Sequence, residues 1–308
     1  MSGPRGPSSP REAGQRALVA AGERRADLTV IEVQDPPSLP GSAFAQRFPG
    51  RTSGMPRLGD AIAAVVERAG AVVLEAPVRA IVEDGFAGVV RHLVVPRRNV
   101  KILGDPGTVG AAPPALRDDV GAFRSLPGMT VVAPADGPTV GTAVEALVSH
   151  EGPAYLRLPE ETALPVTDGS FLLGRAHELR GGSDLTIVAL GPTVARAVEL
   201  AEDLLRVGLG ARVLDVASVK PFDQAAILRA ARDTGAILVV EPAPLATGVG
   251  ALVAAMTSES YPVPVRCLGL ADAWPTAADR ASLDAAGLSL ERLRDEAWEL
   301  LRRRGKVS

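Results

Sequence analysis

The sequence predicts an α/β protein made of two successive domains, each a mainly parallel sheet flanked by helices. Three observations carry this expectation. Short apolar runs alternate with stretches of helical periodicity along nearly the whole chain. The alternation is interrupted once, by a stretch rich in Pro, Gly, Thr and charge. The 308 residues are enough for two units that each bury a core.

Taking the elements in order, residues 11–25 set Ala13, Ala17, Leu18 and Ala21 at helical spacing, and residues 28–33 (LTVIEV) follow as a buried strand. Helical patterns cover 58–69, 78–95, 119–126 and 139–150. Strand-like runs at 71–74, 99–103, 129–132 and 154–158 lie between and after them. Strands separated by helices of this length pair in parallel and are covered on both faces. Periodicity disappears over 159–183, which reads as an interdomain connection. A second series follows: strand 185–190, helix 193–207, strand 211–216, helix 223–234, strand 236–241, helix 248–257 and strand 263–268. Gly208 can take the positive φ of a helix C-terminus, while Pro221 and Asp223 supply a stop and a new N-cap. Residues 289–304 form an amphipathic helix with Leu290, Leu293, Ala297, Leu300 and Leu301 on one face and a basic end that suits its C-terminus. The organisation expected is a flexible lead-in at 1–10, a first domain at 11–160, a connection at 161–183 and a second domain at 184–308.

Composition excludes several functional classes. Hydrophobic residues at 46% and charged residues at 22% belong to a folded chain. With 33 Lys+Arg against 36 Asp+Glu, a net charge of −3 and 3% aromatics, nucleic acid is not the expected partner. No apolar run reaches the ~18 residues of a membrane span; the longest candidate, 236–256, is broken by Glu241, Pro242 and Pro244. The opening MSGPRGPSSPREAG reads as a flexible lead-in rather than a signal peptide. Cys267 is the single cysteine, so the chain forms no internal disulfide; a buried, inert thiol in a reducing cytoplasm is expected. His92, His150 and His177 are isolated, and no spacing suggests a metal site.

A set of residue strings appears in order across roughly the whole chain: REA at 11–13, FAQRFPGR at 44–51, NVKILG at 99–104, LPGMTVVAPAD at 126–136, GPAYLRL at 152–158, DLTIVALG at 184–191, ARVLDV at 211–216, KPFD at 220–223 and TGAILVVE at 234–241. Together they resemble the C-terminal half of the transketolase family and its relatives, the 1-deoxyxylulose-5-phosphate synthases and the β subunits of 2-oxoacid dehydrogenases. The resemblance implies a pyrimidine-binding domain followed by a transketolase C-terminal domain. The GDG…NN signature with which that family binds metal and diphosphate is absent from this sequence. By resemblance, then, the chain is one subunit of a split enzyme. Thiamine diphosphate and Mg2+ would be held mainly by a separate N-terminal transketolase-like subunit, and the chain would associate as a dimer or within an α2β2 assembly.

The same resemblance exposes departures. Activation of thiamine diphosphate needs a carboxylic acid against its pyrimidine ring. The family's GIAEQN-like string falls on GMPRLGD at 54–60, where the Glu position is matched by Arg57; an arginine has no acceptor and stays protonated. Asp60, one helical turn on, is a substitute only if the loop is re-registered. The aromatic pair that would sandwich the pyrimidine falls near 76–80 (APVRA), which has no ring. Channel histidines would fall within 104–116, which has none, and a phosphate-gripping arginine is matched by Glu160. A histidine of the second domain is matched by Ala243. The pocket candidates are Met55, Arg57, Leu58, Glu75, Asp118 and Asp119. Each charged candidate has a structural alternative: Arg57 as a solvated helix-start charge, Glu75 as an ion-pair partner of Arg79, and Asp118 and Asp119 as the cap and first turn of a helix. Two functions follow from the resemblance: a subunit of a thiamine diphosphate-dependent transferase of two-carbon ketol or acyl units with a degenerate site, or a noncatalytic assembly or regulatory paralogue.

Overall fold

The computed structural model describes residues 9–33, 42–106, 118–159, 165–272 and 283–306. Glu160 and most of 104–116 lie outside them, as do residues 1–8 of the expected lead-in. The chain forms two α/β units, Met1–Leu173 and Gly174–Ser308.

The first unit opens with α1 (Pro10–Arg24), whose start is a capping box: the Ser9 hydroxyl accepts from Glu12 N–H, and the Glu12 carboxylate accepts from Ser9 N–H. Then come β1 (Thr29–Val33), α2 (Ala43–Arg47), β2 (Thr52–Met55), α3 (Leu58–Glu67) and β3 (Val72–Pro77). A helical stretch, β4 (Val100–Asp105), α5 (Asp119–Ser125), β5 (Thr130–Val132), α6 (Gly137–Ser149) and β6 (Ala154–Arg157) complete the run. The helical stretch has α4 (Phe86–Val89) at its centre. Within the unit the strands lie in the order β5-β6-β4-β3-β1-β2, and every neighbouring pair is parallel. Ala17, Leu18 and Ala21 of α1 bury against Val140, Ala143, Val144 and Leu147 of α6 over the apolar face of the sheet. Small residues on α1 permit this close helix pairing.

Two elements differ from expectation. The strand β2 carries no apolar alternation in its sequence, TSGM; it exists through pairing with β1, from Val30 opposite Thr52 to Val33 opposite Met55. The helix expected over 78–95 is wound as wide π-type turns at Ala80–Gly85 and Val90–Val94 on either side of α4. Gly85 lies against α3, where a Cβ would meet Leu58 at 2.2 Å. Over so short a window, apolar spacing does not distinguish these turns from α-helix.

The second unit contains β7 (His177–Arg180), β8 (Leu185–Ala189), α7 (Thr193–Arg206), β9 (Ala211–Asp215), β10 (Ser218–Lys220), α8 (Gln224–Thr234), β11 (Ile237–Pro244), α9 (Val249–Ser260), β12 (Val265–Leu270) and α10 (Leu290–Arg303). Its sheet order is β12-β11-β8-β9-β7, parallel except for the antiparallel edge pair β7–β9. Asp223 caps α8 by accepting from Ala226 N–H at 3.0 Å, and Gly208 ends α7 with φ 82°.

The stretch read as a connection therefore carries structure at both ends. Its early part is drawn onto the first unit by Asp136, a fully buried carboxylate that accepts from Thr139, Val166 and Thr167 N–H and from the Thr167 hydroxyl. Its later part supplies β7.

Tyr155 is fully buried in β6, stacked on Phe123 at 4.2 Å, and a Cβ at Gly104 would lie 2.3 Å from its hydroxyl oxygen. Gly104→Ala is therefore expected to destabilise the first unit by about 1–3 kcal/mol through overpacking. Urea unfolding measures this; an unchanged midpoint would show that Tyr155 has room to move.

Candidate functional site

In open parallel sheets, ligands gather outside the strand carboxyl ends where the strand order reverses. In the first unit the chain runs from β1 outward to β2 and then crosses to β3 on the other side, so the reversal lies between β1 and β3. Near the carboxyl ends of these two strands, Glu32 and Glu75 sit opposite each other in register. Asp105 ends the next strand, β4, opposite Pro77.

Helices α1 and α2 supply the groups that hold these acids. The Gln15 side-chain amide donates to Glu75 Oε1 at 2.7 Å, while its own carbonyl accepts from Phe44 N–H at 3.2 Å. This second bond fixes the amide so that its N–H group faces the carboxyl. The Ser42 hydroxyl donates to Glu32 and accepts from Ala45 N–H, at the N-terminus of α2. Arg11 pairs with Asp105 at 3.0 Å. Burial pushes the Glu75 carboxyl up to about 8; the neighbouring Glu32 and Asp105 charges add to this, and Arg11 and the Gln15 amide oppose it. At pH 7 Glu75 is a neutral acid beside an ionisable partner, an arrangement that lets one group hold a proton and the other a charge.

The other candidates fall elsewhere. Met55 is the last residue of β2 and is partly buried; Leu58 is buried at the start of α3, packed against Gly85. Arg57 occupies the N-cap position of α3, exposed and without a side-chain capping bond, and Asp60 is exposed in the first turn. Among the described residues, no hydrogen bond or ion pair joins Arg57 or Asp60 to Glu75. Nor does Glu75 pair with Arg79, the partner considered from sequence: its hydrogen bond comes from Gln15. Asp118 caps α5 through Gly121 N–H at 2.9 Å. Asp119 is fully buried and bonded to the Tyr155 hydroxyl and the Arg157 guanidinium, and together with burial it raises the pKa of that hydroxyl. Both aspartates thus anchor a helix start. Sequence reading missed Glu32, Gln15, Ser42 and Asp105; only the position of Glu32 near the end of a predicted strand pointed to one of them.

In the second unit, the buried Glu241 accepts from Val249 N–H at 2.6 Å and Gly250 N–H at 2.9 Å, so the start of α9 is filled by the chain's own carboxylate. Ala243 is buried in β11. Cys267 is partly buried, its thiol pushed up to about 11 by burial and the Glu241 charge, which leaves it unreactive at neutral pH. Among the described residues, no group of three His, Cys, Asp or Glu is arranged to hold a metal ion.

Because the Glu75 carboxyl rises from 4.5 to about 8 on folding, the folded chain keeps a proton that the unfolded chain releases in that window. Stability attributable to this group is therefore present at low pH and falls as pH rises through the window. Thermal unfolding from pH 5 to 8 should show a declining midpoint that Glu75→Gln flattens; equal slopes for the two proteins would refute the assignment.

The family model for the transketolase C-terminal domain matches residues 174–293. The chain is 41% identical over 180 residues to the 6-deoxy-6-sulfo-D-fructose transketolase subunit SqwH of Clostridium sp. (strain MSTE9), covering 56% of each chain. It is 40% identical over 188 residues to a subunit of the apulose-4-phosphate transketolase of Phocaeicola vulgatus, covering 58% of this chain and 60% of that one. The matches thus span little more than half the length of these curated relatives. Among solved structures, a split-gene transketolase described as an inactive beta4 tetramer superposes with a TM-score of 0.88 at 30% identity, over 96% of this chain and 99% of that one. Through the agreement of these matches with the two successive α/β units, the chain belongs to the transketolase family and corresponds to its C-terminal portion.

Proposed function

We propose that the chain is the C-terminal subunit of a split thiamine diphosphate-dependent transferase of two-carbon ketol or acyl units. It works with a separate N-terminal transketolase-like subunit that holds the diphosphate and Mg2+. The observation that carries this reading is the superposition on a split-gene transketolase chain over almost the full length of both. The subunit names of the curated relatives support it.

The donor set of the first unit suits an aminopyrimidine ring, for which a neutral carboxyl group and hydrogen-bonding partners are needed. Glu75 provides the first and Gln15 and Glu32 the second, at the strand ends where ligands gather. When bound, the cofactor supplies a nucleophilic thiazolium carbon that takes up and passes on the two-carbon unit. The chain's own contribution is to orient the ring and to hold a proton beside it. Arg57 is unsuited to that role, being exposed and lacking an acceptor. Arg57, together with the lack of rings near 76–80 and with Ala243, favours the second reading, a noncatalytic assembly or regulatory paralogue that docks in the same way.

The proposed setting is the cytoplasm, in keeping with a single cysteine that forms no internal disulfide. No helix among the described residues is long and apolar enough to cross a membrane. Association with itself as a dimer, and with the partner as α2β2, is part of the proposal.

Coexpression with a polypeptide carrying the GDG…NN signature should yield a stable heteromer that binds thiamine diphosphate in the presence of Mg2+. Light scattering and calorimetric titration measure both properties. A heteromer that binds no cofactor would favour the noncatalytic reading, and a monodisperse monomer indifferent to that polypeptide would remove both.

A further inference from the structure

Resting on that reading, we propose that Glu75 is the carboxylic acid with which this chain protonates the aminopyrimidine ring of thiamine diphosphate, taking the place of the motif carboxyl where the chain has Arg57. Gln15 is its positioning residue.

The argument begins with how the acids of this chain are satisfied. Asp136 accepts three backbone N–H groups and a hydroxyl. Glu241 accepts two N–H groups, and Asp119 receives a tyrosine hydroxyl and a guanidinium. Such groups are held as carboxylates and have no proton to give. Glu75 differs in kind. Its Oε1 accepts from the Gln15 amide, and its other oxygen, Oε2, has no hydrogen-bond partner among the described residues. The groups that face it are Glu32 on β1, Asp105 on β4 and Arg11 and Gln15 on α1. Ser42 secures the Glu32 carboxylate and so keeps a negative charge beside Glu75. Both acids lie at the strand reversal, outside which a ring would be bound. The amide cannot turn its oxygen toward Glu75, because that oxygen is engaged by Phe44 N–H.

The proton step balances within this set. The O–H bond at Oε2 breaks as the proton passes to a ring nitrogen of the pyrimidine, leaving Glu75 as carboxylate, and one proton leaves the exocyclic amine of the ring for solvent. Nothing is oxidised or reduced. The proton returns to Oε2 when the step reverses, favoured by the adjacent Glu32 charge.

The test uses the complex of this chain with its GDG…NN partner, loaded with thiamine diphosphate and Mg2+. Three readouts are followed: cofactor affinity, deuterium exchange at the thiazolium C2, and the infrared band of protonated carboxyl groups. Glu75→Gln is expected to remove one protonated-carboxyl band at pH 7, to slow C2 exchange by about 100-fold or more, as for loss of a general acid, and to leave the heteromer intact. In the wild type, exchange relative to free cofactor should fall as pH rises through about 8, where Glu75 ionises. Gln15→Met removes the bond that favours ionisation, so this fall should move to higher pH, a shift that a purely structural role would not produce. Exchange within about threefold of wild type in Glu75→Gln, or a pH profile unmoved by Gln15→Met, would overturn the assignment. These outcomes differ from failure of the parent reading, in which the wild-type complex binds no cofactor at all; that result would overturn both.

Discussion

The parallel pairing of β1 with β3 is the constraint on which the rest of the first unit's chemistry depends. Its register places Glu32 beside Glu75 at the strand ends, and neither can move without breaking a ladder whose other members are core residues such as Val30, Ile31, Val73 and Leu74. Two carboxyl groups forced together where water is scarce cannot both carry charge at low cost. One is held ionised by the Ser42 hydroxyl, and the other keeps its proton beside an amide whose orientation α2 dictates. The sheet thus produces an acid of raised pKa without a motif for it.

Satisfaction of hydrogen bonds separates the structural carboxylates of this protein from the chemically poised one. Hydrogen bonds to charged groups contribute about 1.5–3 kcal/mol each, so an aspartate with several donors is a strong local anchor. Asp136 uses this to fold the start of the interdomain stretch back over α6, where Phe171 and Leu173 pack against the core. Asp119 ties the start of α5 to β6 through Tyr155 and Arg157. Glu241 caps α9 from within and leaves Gly248 no room for a side chain, since a Cβ there would lie 2.2 Å from the carboxylate. In each case the charge is consumed by architecture.

The departures from family pattern acquire a physical sense in this setting. At Arg57 the backbone is extended and the side chain is exposed to solvent at the edge of α3, so the position makes a helix start and nothing more. The acid that family resemblance would place there is absent, whereas an acid of suitable chemistry stands at the end of β3, two strands away across β1. Retention of the scaffold with relocation of a single proton donor is a smaller change than loss of the chemistry altogether. The segment at 76–80, without rings, indicates that any ring bound nearby is held by hydrogen bonds and apolar contact instead of stacking.

Much of the architecture was readable in the chain itself. The alternation of apolar runs with amphipathic stretches determined the parallel α/β class, most element positions and, with the strings from REA to TGAILVVE, the family, because periodicity and local caps are properties of neighbouring residues. Asp118, Asp223 and Gly208 behave as their local patterns require for the same reason. The strand β2, the wide turns around α4 and the edge strand β7 came only from tertiary pairing, which stabilises segments whose own patterns are weak. The chemistry of the site was likewise decided in three dimensions. Gln15, Glu32, Ser42, Glu75 and Asp105 are spread over 91 positions, from 15 to 105. Nothing in their separation along the chain reveals that strand order and register bring them to one sheet end, and a carboxyl's proton affinity depends on what surrounds it there.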